Sequence, residues 1–325
     1  MKKSLSLLIM ILLLVVSVTG CGASASTEEA STETQEVQEV GQTESTEIRF
    51  TDDSGREIVL DKAAEKVISL YSVHTENLYA MGAGETIIGV GMSDKYPEEV
   101  IEKTQYSYKD DPELVIAASP DVLIIRSMID SRYPDYIKAI EDAGITVVNL
   151  YCSTYDGFDD YMTRLGMIVG KEEVAGDMVK SFHEEVDRIK ALGQGIEDKK
   201  TAYFESIGSK FKTATPDSFA GTALQIVGVD NIAKDIEYDG TSTVVTYGEE
   251  ALLSNSNEID VFIAQKGAMN KTVSFDEIKE RPGFSGIKAV KEDQIIIIDE
   301  KLVSGATMRY LQGLELLMES IYGVE

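Results

Sequence analysis

Tryptophan is absent from this chain of 325 residues, and histidine and cysteine occur only twice each. His74 and His183 lie far apart in the sequence, which argues against a bare zinc or manganese site built from several such ligands. The cysteines are Cys21 and Cys152. If Cys21 is modified, as argued below, Cys152 has no partner, so neither an intramolecular disulfide nor a zinc–cysteine cluster is available. Basic residues are scarce: 30 Lys and Arg face 57 Asp and Glu, for a formal charge of −27. A phosphate backbone is bound by clustered Lys and Arg, so nucleic acid is excluded as a partner. Reactive motifs are missing too. There is no Gly-x-Ser-x-Gly elbow and no Walker loop, and "FHEEVD" at 182–187 lacks the second histidine of a zinc protease.

One long apolar run is present. Lys2 and Lys3 precede Leu5–Val18, and Val18-Thr19-Gly20-Cys21 closes the run with small residues and a cysteine. The run is shorter than the ~20 residues that cross a bilayer, and its flanks read as a secretory signal. The ending resembles the lipobox of bacterial lipoproteins, in which the cysteine is lipidated and becomes the first residue. An ordinary secretory peptide with an incidental cysteine is the alternative. Between Gly22 and Ile48 stand seven Glu and no Lys or Arg. Such a segment has too little apolar surface to offset chain entropy and is expected to serve as a disordered acidic tether.

Beyond it, apolar runs alternate with helical stretches. Strands are expected at Val67–Tyr71, Ile87–Val90, Val122–Ile125 and Val147–Leu150, and helices at Glu76–Met81, Glu113–Ala118 and Tyr133–Ala143. "TAYFES", "IDVFIA" and "QIIIID" repeat the pattern later. Continuous β-branched strands between helices imply an α/β fold with buried, mostly parallel sheets. "PELVIAASPDVLII" from Pro112 and "EEALLSNSNEIDVFI" from Glu249 echo one another, which suggests two related lobes. Between them Val174, Met178, Phe182, Val186, Ile189 and Leu192 recur at helical spacing, with Gly193 and Gly195 as the stop. A single long helix is expected to bridge the lobes.

Together "KVISLYSVHTENLYAMGAGETIIGV", "DDPELVIAASPDVLII", "GVDNIAKD" and "IDEKLVSGATMRYLQGLELL", behind a lipobox, resemble the helical-backbone substrate-binding proteins of ABC importers. That family binds iron siderophores, haem and cobalamin. The resemblance implies two Rossmann-like lobes bridged by one long helix, with a ligand cleft between them, and no enzymatic activity. The expected organisation is a signal peptide at 1–20, the lipidated cysteine and tether at 21–46, an N-terminal lobe at 47–170, the bridging helix at 171–193 and a C-terminal lobe at 194–325. It also implies an ABC permease and ATPase as partners, a monomer anchored outside the cytoplasm through lipidated Cys21, and no cofactor. The family's acidic docking residues match Glu113 and Glu250. The alternative for these two is a carboxylate favourable to a helix N-terminus.

Open α/β sheets bind ligands at the carboxyl ends of their strands. In lobe one this position nominates Tyr71, His74, Met92, Tyr106, Tyr108, Arg126, Arg132 and Tyr133. In lobe two it nominates Ser206, Lys210, Lys212, Gln265, Lys266, Met269 and Arg309. Tyrosine offers broad apolar contact with a polar edge. Arg and Lys offer donors to anionic oxygens. The family loop often reads Ser-Pro-Ser-Asn-Thr-Glu, whereas here it is Tyr71-Ser72-Val73-His74-Thr75-Glu76. His74 is therefore either a ligand contact, even an axial metal ligand, or a structural group making a backbone hydrogen bond. Arg309 either meets the ligand or fixes the start of the final helix. His183, beside Phe182, reads as surface. The expected ligand is an anionic iron chelate such as a siderophore, with haem or a corrinoid as the alternative. An anchored enzyme and an adhesion lipoprotein are the rival classes.

Overall fold

The structure is a computed structural model that describes residues 47–240 and 242–324. The signal, Cys21 and the tether lie outside the described residues. A short antiparallel pair, β1 (Ile48–Thr51) and β2 (Glu57–Leu60), opens the fold. Five strands then form the first sheet: β3 (Val67–Ser69), β4 (Ile87–Gly91), β5 (Thr104–Tyr106), β6 (Val122–Ile125) and β7 (Thr146–Asn149). All pair in parallel in the order β5-β4-β3-β6-β7. The order reverses between β3 and β6, which makes that gap the sheet's switch point.

The second half repeats this plan with a different order. Its strands are β8 (Thr201–Glu205), β9 (Lys212–Ala214), β10 (Asp230–Asn231), β11 (Val244–Thr246), β12 (Val261–Lys266) and β13 (Ile295–Asp299). The parallel sheet runs β10-β8-β12-β13, and β9 and β11 form an antiparallel pair. Here the switch point lies between β8 and β12. The molecule is thus an α/β protein with two Rossmann-like lobes, as the sequence indicates.

The helix Glu172–Gln194 joins the sheets over 23 residues, about 35 Å at 1.5 Å per residue. Its buried face is Ala175, Phe182, Val186, Ile189 and Gly193. Val174, expected on that face, is exposed and Ala175 takes its place. Gly193 does not stop the helix. It lets the backbone of residues 226–228 pass, since a Cβ there would lie 2.5 Å from the Ile226 carbonyl.

Two apolar clusters cover the outer faces of the two sheets. A third, larger one runs from Ile48 through the bridging helix to Met318 and includes residues of both lobes. At its centre Phe158, Phe182, Phe219 and Tyr310 pack ring against ring, with Phe158 and Phe182 centroids 4.2 Å apart. The lobes share this one core.

Candidate functional site

The first switch point lies between the carboxyl ends of β3 and β6. Tyr71 follows the first strand and Arg126 the second, and the guanidinium sits 4.8 Å from the centre of the Tyr71 ring. This cation–π contact fixes a charged group over an aromatic face. Tyr151, just beyond β7, adds a second ring 6.2 Å from Tyr71. Burial raises the Tyr71 phenol above its usual range, and the nearby Tyr151 acts in the same direction against Arg126. The phenol stays protonated and can donate.

His74 lies behind this platform, with its ring edge-on to Tyr71 at 5.0 Å. It is fully buried. Nδ1 is 2.8 Å from the Tyr161 hydroxyl and Nε2 is 3.2 Å from the Ile125 carbonyl. Burial pulls its pKa down to about 3. Both nitrogens are engaged within the protein, so the expectation of a ligand contact or axial metal ligand is corrected to the structural role. His183 is partly exposed and pairs with Asp159 at 2.7 Å.

Arg309 also departs from a free ligand contact. It precedes the helix Tyr310–Tyr322 and reaches across to lobe one. Its Nε donates to Glu76 at 3.0 Å, and its guanidinium lies 4.1 Å from the Tyr96 ring centre. Arg132 is exposed in the last turn of the helix Ser127–Arg132. Tyr106, Tyr108 and Tyr133 are half-buried and pack on the outer cluster of lobe one, with Tyr108 and Tyr133 centroids 4.8 Å apart. They are not gathered with Tyr71, because these residues lie over the outer layer of the sheet.

In lobe two, the end of β8 is filled by protein. Glu205 is buried, accepts from Asn270 Nδ2 at 2.9 Å and pairs with Arg281. Ser206 and Gln265 are buried as well. Gln265 donates to the Ser206 carbonyl at 3.2 Å and accepts from Ser304 at 2.6 Å. Lys210 and Lys266 are exposed, and Lys212 is half-buried at the start of β9. Met92 and Met269 are exposed beyond strand ends of lobes one and two, 61% and 46% respectively. Glu113 and Glu250 are exposed in the first turns of the helices Glu113–Ala118 and Glu249–Ser254.

Sequence reasoning missed Tyr151 and Tyr96. Tyr151 carried a usable signal, since it follows an apolar strand run. Tyr96 lies in a loop whose path no periodicity reveals.

Residues 67–302 match the family model described as periplasmic binding protein. The uncharacterized ABC transporter substrate-binding lipoprotein YvrC of Bacillus subtilis is 29% identical over 286 residues, covering 86% of this chain and 87% of that protein. A cobalamin-binding protein of Halobacterium salinarum is 23% identical over 231 residues, 69% of this chain and 60% of that protein. Among solved structures, a possible iron-binding periplasmic solute-binding protein of Staphylococcus epidermidis superposes with a TM-score of 0.68 at 27% identity, covering 80% of this chain and all of that one. Two parallel-sheet lobes on one bridging helix and a family match over most of the fold agree: the chain belongs to the periplasmic binding protein family, whose members bind their ligand and do not transform it.

Proposed function

We propose that this chain is the substrate-binding lipoprotein of an ABC importer for a metal chelate, and that the chelate is a corrinoid-like macrocycle. The observation that carries the ligand reading is the platform of Tyr71 and Tyr151 with Arg126 at the first switch point, while Arg309 is engaged by Glu76. Aromatic faces suit a broad, largely apolar ligand surface. The cobalamin-binding relative supports this choice. An anionic iron chelate of the siderophore class is the second reading, and it rests on Arg126.

Calorimetry of purified protein with cyanocobalamin, haem and ferric siderophores separates the two. Cyanocobalamin is expected to bind and to raise the melting temperature, because a ligand that binds only the native state stabilises it. Tyr71→Ala should then weaken binding more than Arg126→Ala. If a ferric siderophore binds instead and Arg126→Ala weakens it about ten- to hundredfold, the second reading holds. Binding of neither class removes the metal-chelate assignment.

The anchor belongs to the same proposal. Two acyl chains on Cys21 would hold the protein firmly, where one gives only marginal attachment. Cys21→Ala should move the protein from the membrane fraction to the medium or leave it unprocessed. A variant that stays on the membrane at the mature mass would rule the anchor out.

A further inference from the structure

In the first sheet β7 is an edge strand, so the backbone groups on its outer side need partners from outside the sheet. Leu150 points inward, its N–H donating to the Ile125 carbonyl at 3.0 Å. Asn149 and Tyr151, on either side of it, present their backbone outward. The turn between β1 and β2, Asp52-Asp53-Ser54-Gly55-Arg56, meets both. Asn149 N–H donates to Asp52 Oδ2 at 3.0 Å, the Asn149 carbonyl accepts from Asp53 N–H at 2.9 Å, and Tyr151 N–H donates to Asp53 Oδ2.

The turn is held by its own bonds. Asp52 is buried, and its Oδ1 accepts from the N–H groups of Ser54 and Arg56 at 2.9 Å each. Gly55 takes the positive φ of 81° that closes the loop. From this turn two side chains reach the neighbouring strand end. Ser54 accepts from Asn149 Nδ2 at 2.7 Å and donates to Asp130, and Arg56 donates to Asp130 at 3.0 Å. Asp130 lies in the helix Ser127–Arg132, which starts directly after Arg126. One turn thus grips the segments that carry Tyr151 and Arg126, and both of these side chains approach Tyr71.

We propose that the turn 52–56 braces the binding platform and that Asp53 is the positioning residue for Tyr151. This rests on the reading of Tyr71, Tyr151 and Arg126 as the ligand surface. Asp53 acts through the backbone. One carboxylate oxygen takes Tyr151 N–H, and the other pairs with Arg164 at 2.7 Å. Arg164 is fixed in turn by Asp160 at 2.7 Å, which gives the Asp53 carboxylate a defined direction. Beyond Leu150 the chain leaves the sheet, and the bond to Asp53 ties the Tyr151 backbone there. A ring already held in place does not have to be ordered when a ligand arrives.

Fluorine NMR tests the brace without any ligand. With 3-fluorotyrosine at position 151, the parent should give one narrow resonance. Asp53→Ala should broaden it or move it toward its position in the unfolded protein. Asp53→Asn, which keeps an acceptor for Tyr151 N–H, should restore it. The same label at Tyr247, in lobe two, should be unaffected by either variant. A Tyr151 resonance that Asp53→Ala leaves unchanged overturns the proposal. So does an equal change at both labels, which would make the effect global rather than a local brace. These signals decide the proposal whichever chelate binds. Titration with cyanocobalamin adds a second readout. Asp53→Ala should weaken binding about two- to tenfold, the cost of ordering one side chain, and should have no further effect in a Tyr151→Ala background. Weaker binding in Tyr151→Ala beside parent-like binding in Asp53→Ala would sink this inference alone. Parent-like binding in Tyr151→Ala would take Tyr151 off the ligand surface, and the platform reading would fail together with the inference.

Discussion

Between Ile125 and Ala306 a chain of buried polar groups passes through His74. A carbonyl only accepts, so His74 Nε2 carries the proton toward Ile125, and Nδ1 accepts from the Tyr161 hydroxyl. Asn77 Nδ2 lies 3.4 Å from that hydroxyl and 2.7 Å from the Ala306 carbonyl. The imidazole must stay neutral to keep both bonds. Burial lowers its pKa to about 3, so its contribution is complete above the unfolded value near 6.5 and is lost as pH falls toward 3. Between about pH 8 and pH 5 this loss is on the order of 2 kcal/mol. Asp94, whose carboxyl burial pushes up to about 6, runs in the opposite direction over the same range, so the parent alone conceals the effect. The informative quantity is the difference between parent and His74→Asn in urea unfolding. The variant should be less stable at pH 8, and its deficit should shrink by about 2 kcal/mol at pH 5. A deficit that stays constant with pH would mean His74 is not held neutral by burial.

The bridging helix contains two interior glycines with opposite surroundings. Gly176 is exposed and has nothing within 4 Å of a built Cβ. Gly193 lies against residues 226–228, where a Cβ would meet backbone at 2.5 Å. Gly176→Ala should stabilise by about 0.5–1 kcal/mol through helix propensity. Gly193→Ala should destabilise by about 1–3 kcal/mol through overpacking. Thermal denaturation of both variants checks the pair, and equal shifts of one sign would contradict the packing. Elements of this kind differ in how far the sequence reveals them. Val122–Ile125 and Glu113–Ala118 are readable to the residue, because their apolar residues are continuous or periodic. The helix beginning at Ser72 is not, for Ser72, His74, Thr75 and Glu76 are polar and buried by contacts made across the lobes. The sequence pattern points to a start at Glu76, one turn later than the observed Ser72. The two-residue β10 and the β9–β11 pair gave no periodicity at all. For the site, position at a strand end found Tyr71 and Arg126. It did not show that Tyr106, Tyr108 and Tyr133 pack on the outer layer, since the layer each ring joins is set by tertiary packing.

Across the whole molecule, one apolar core spans both lobes, and a docking importer would meet the two lobes as one frame. The repeated motif offers a two-sided handle. The helix Glu113–Ala118 leads into β6, which pairs with the first strand of its sheet, β3. The helix Glu249–Ser254 leads into β12, which pairs with the first strand of the other sheet, β8. Glu113 and Glu250 therefore occupy matching places on the two lobes, both in the first helical turn and both exposed. A carboxylate there interacts favourably with the helix N-terminus, worth about 0.3–1 kcal/mol, and that alone would explain one such residue. A matched pair, one on each lobe, fits a receptor that presents one cationic group to each side. Glu113→Lys with Glu250→Lys should abolish uptake of the chelate into cells while leaving its affinity for the purified protein unchanged. The cost in stability should stay within about 2 kcal/mol, because only two exposed helix-terminal charges change. Each single reversal should leave part of the uptake, since the second lobe still docks. Normal uptake by the double variant would remove these residues from the permease interface. Weakened binding by purified protein would assign them to the cleft instead.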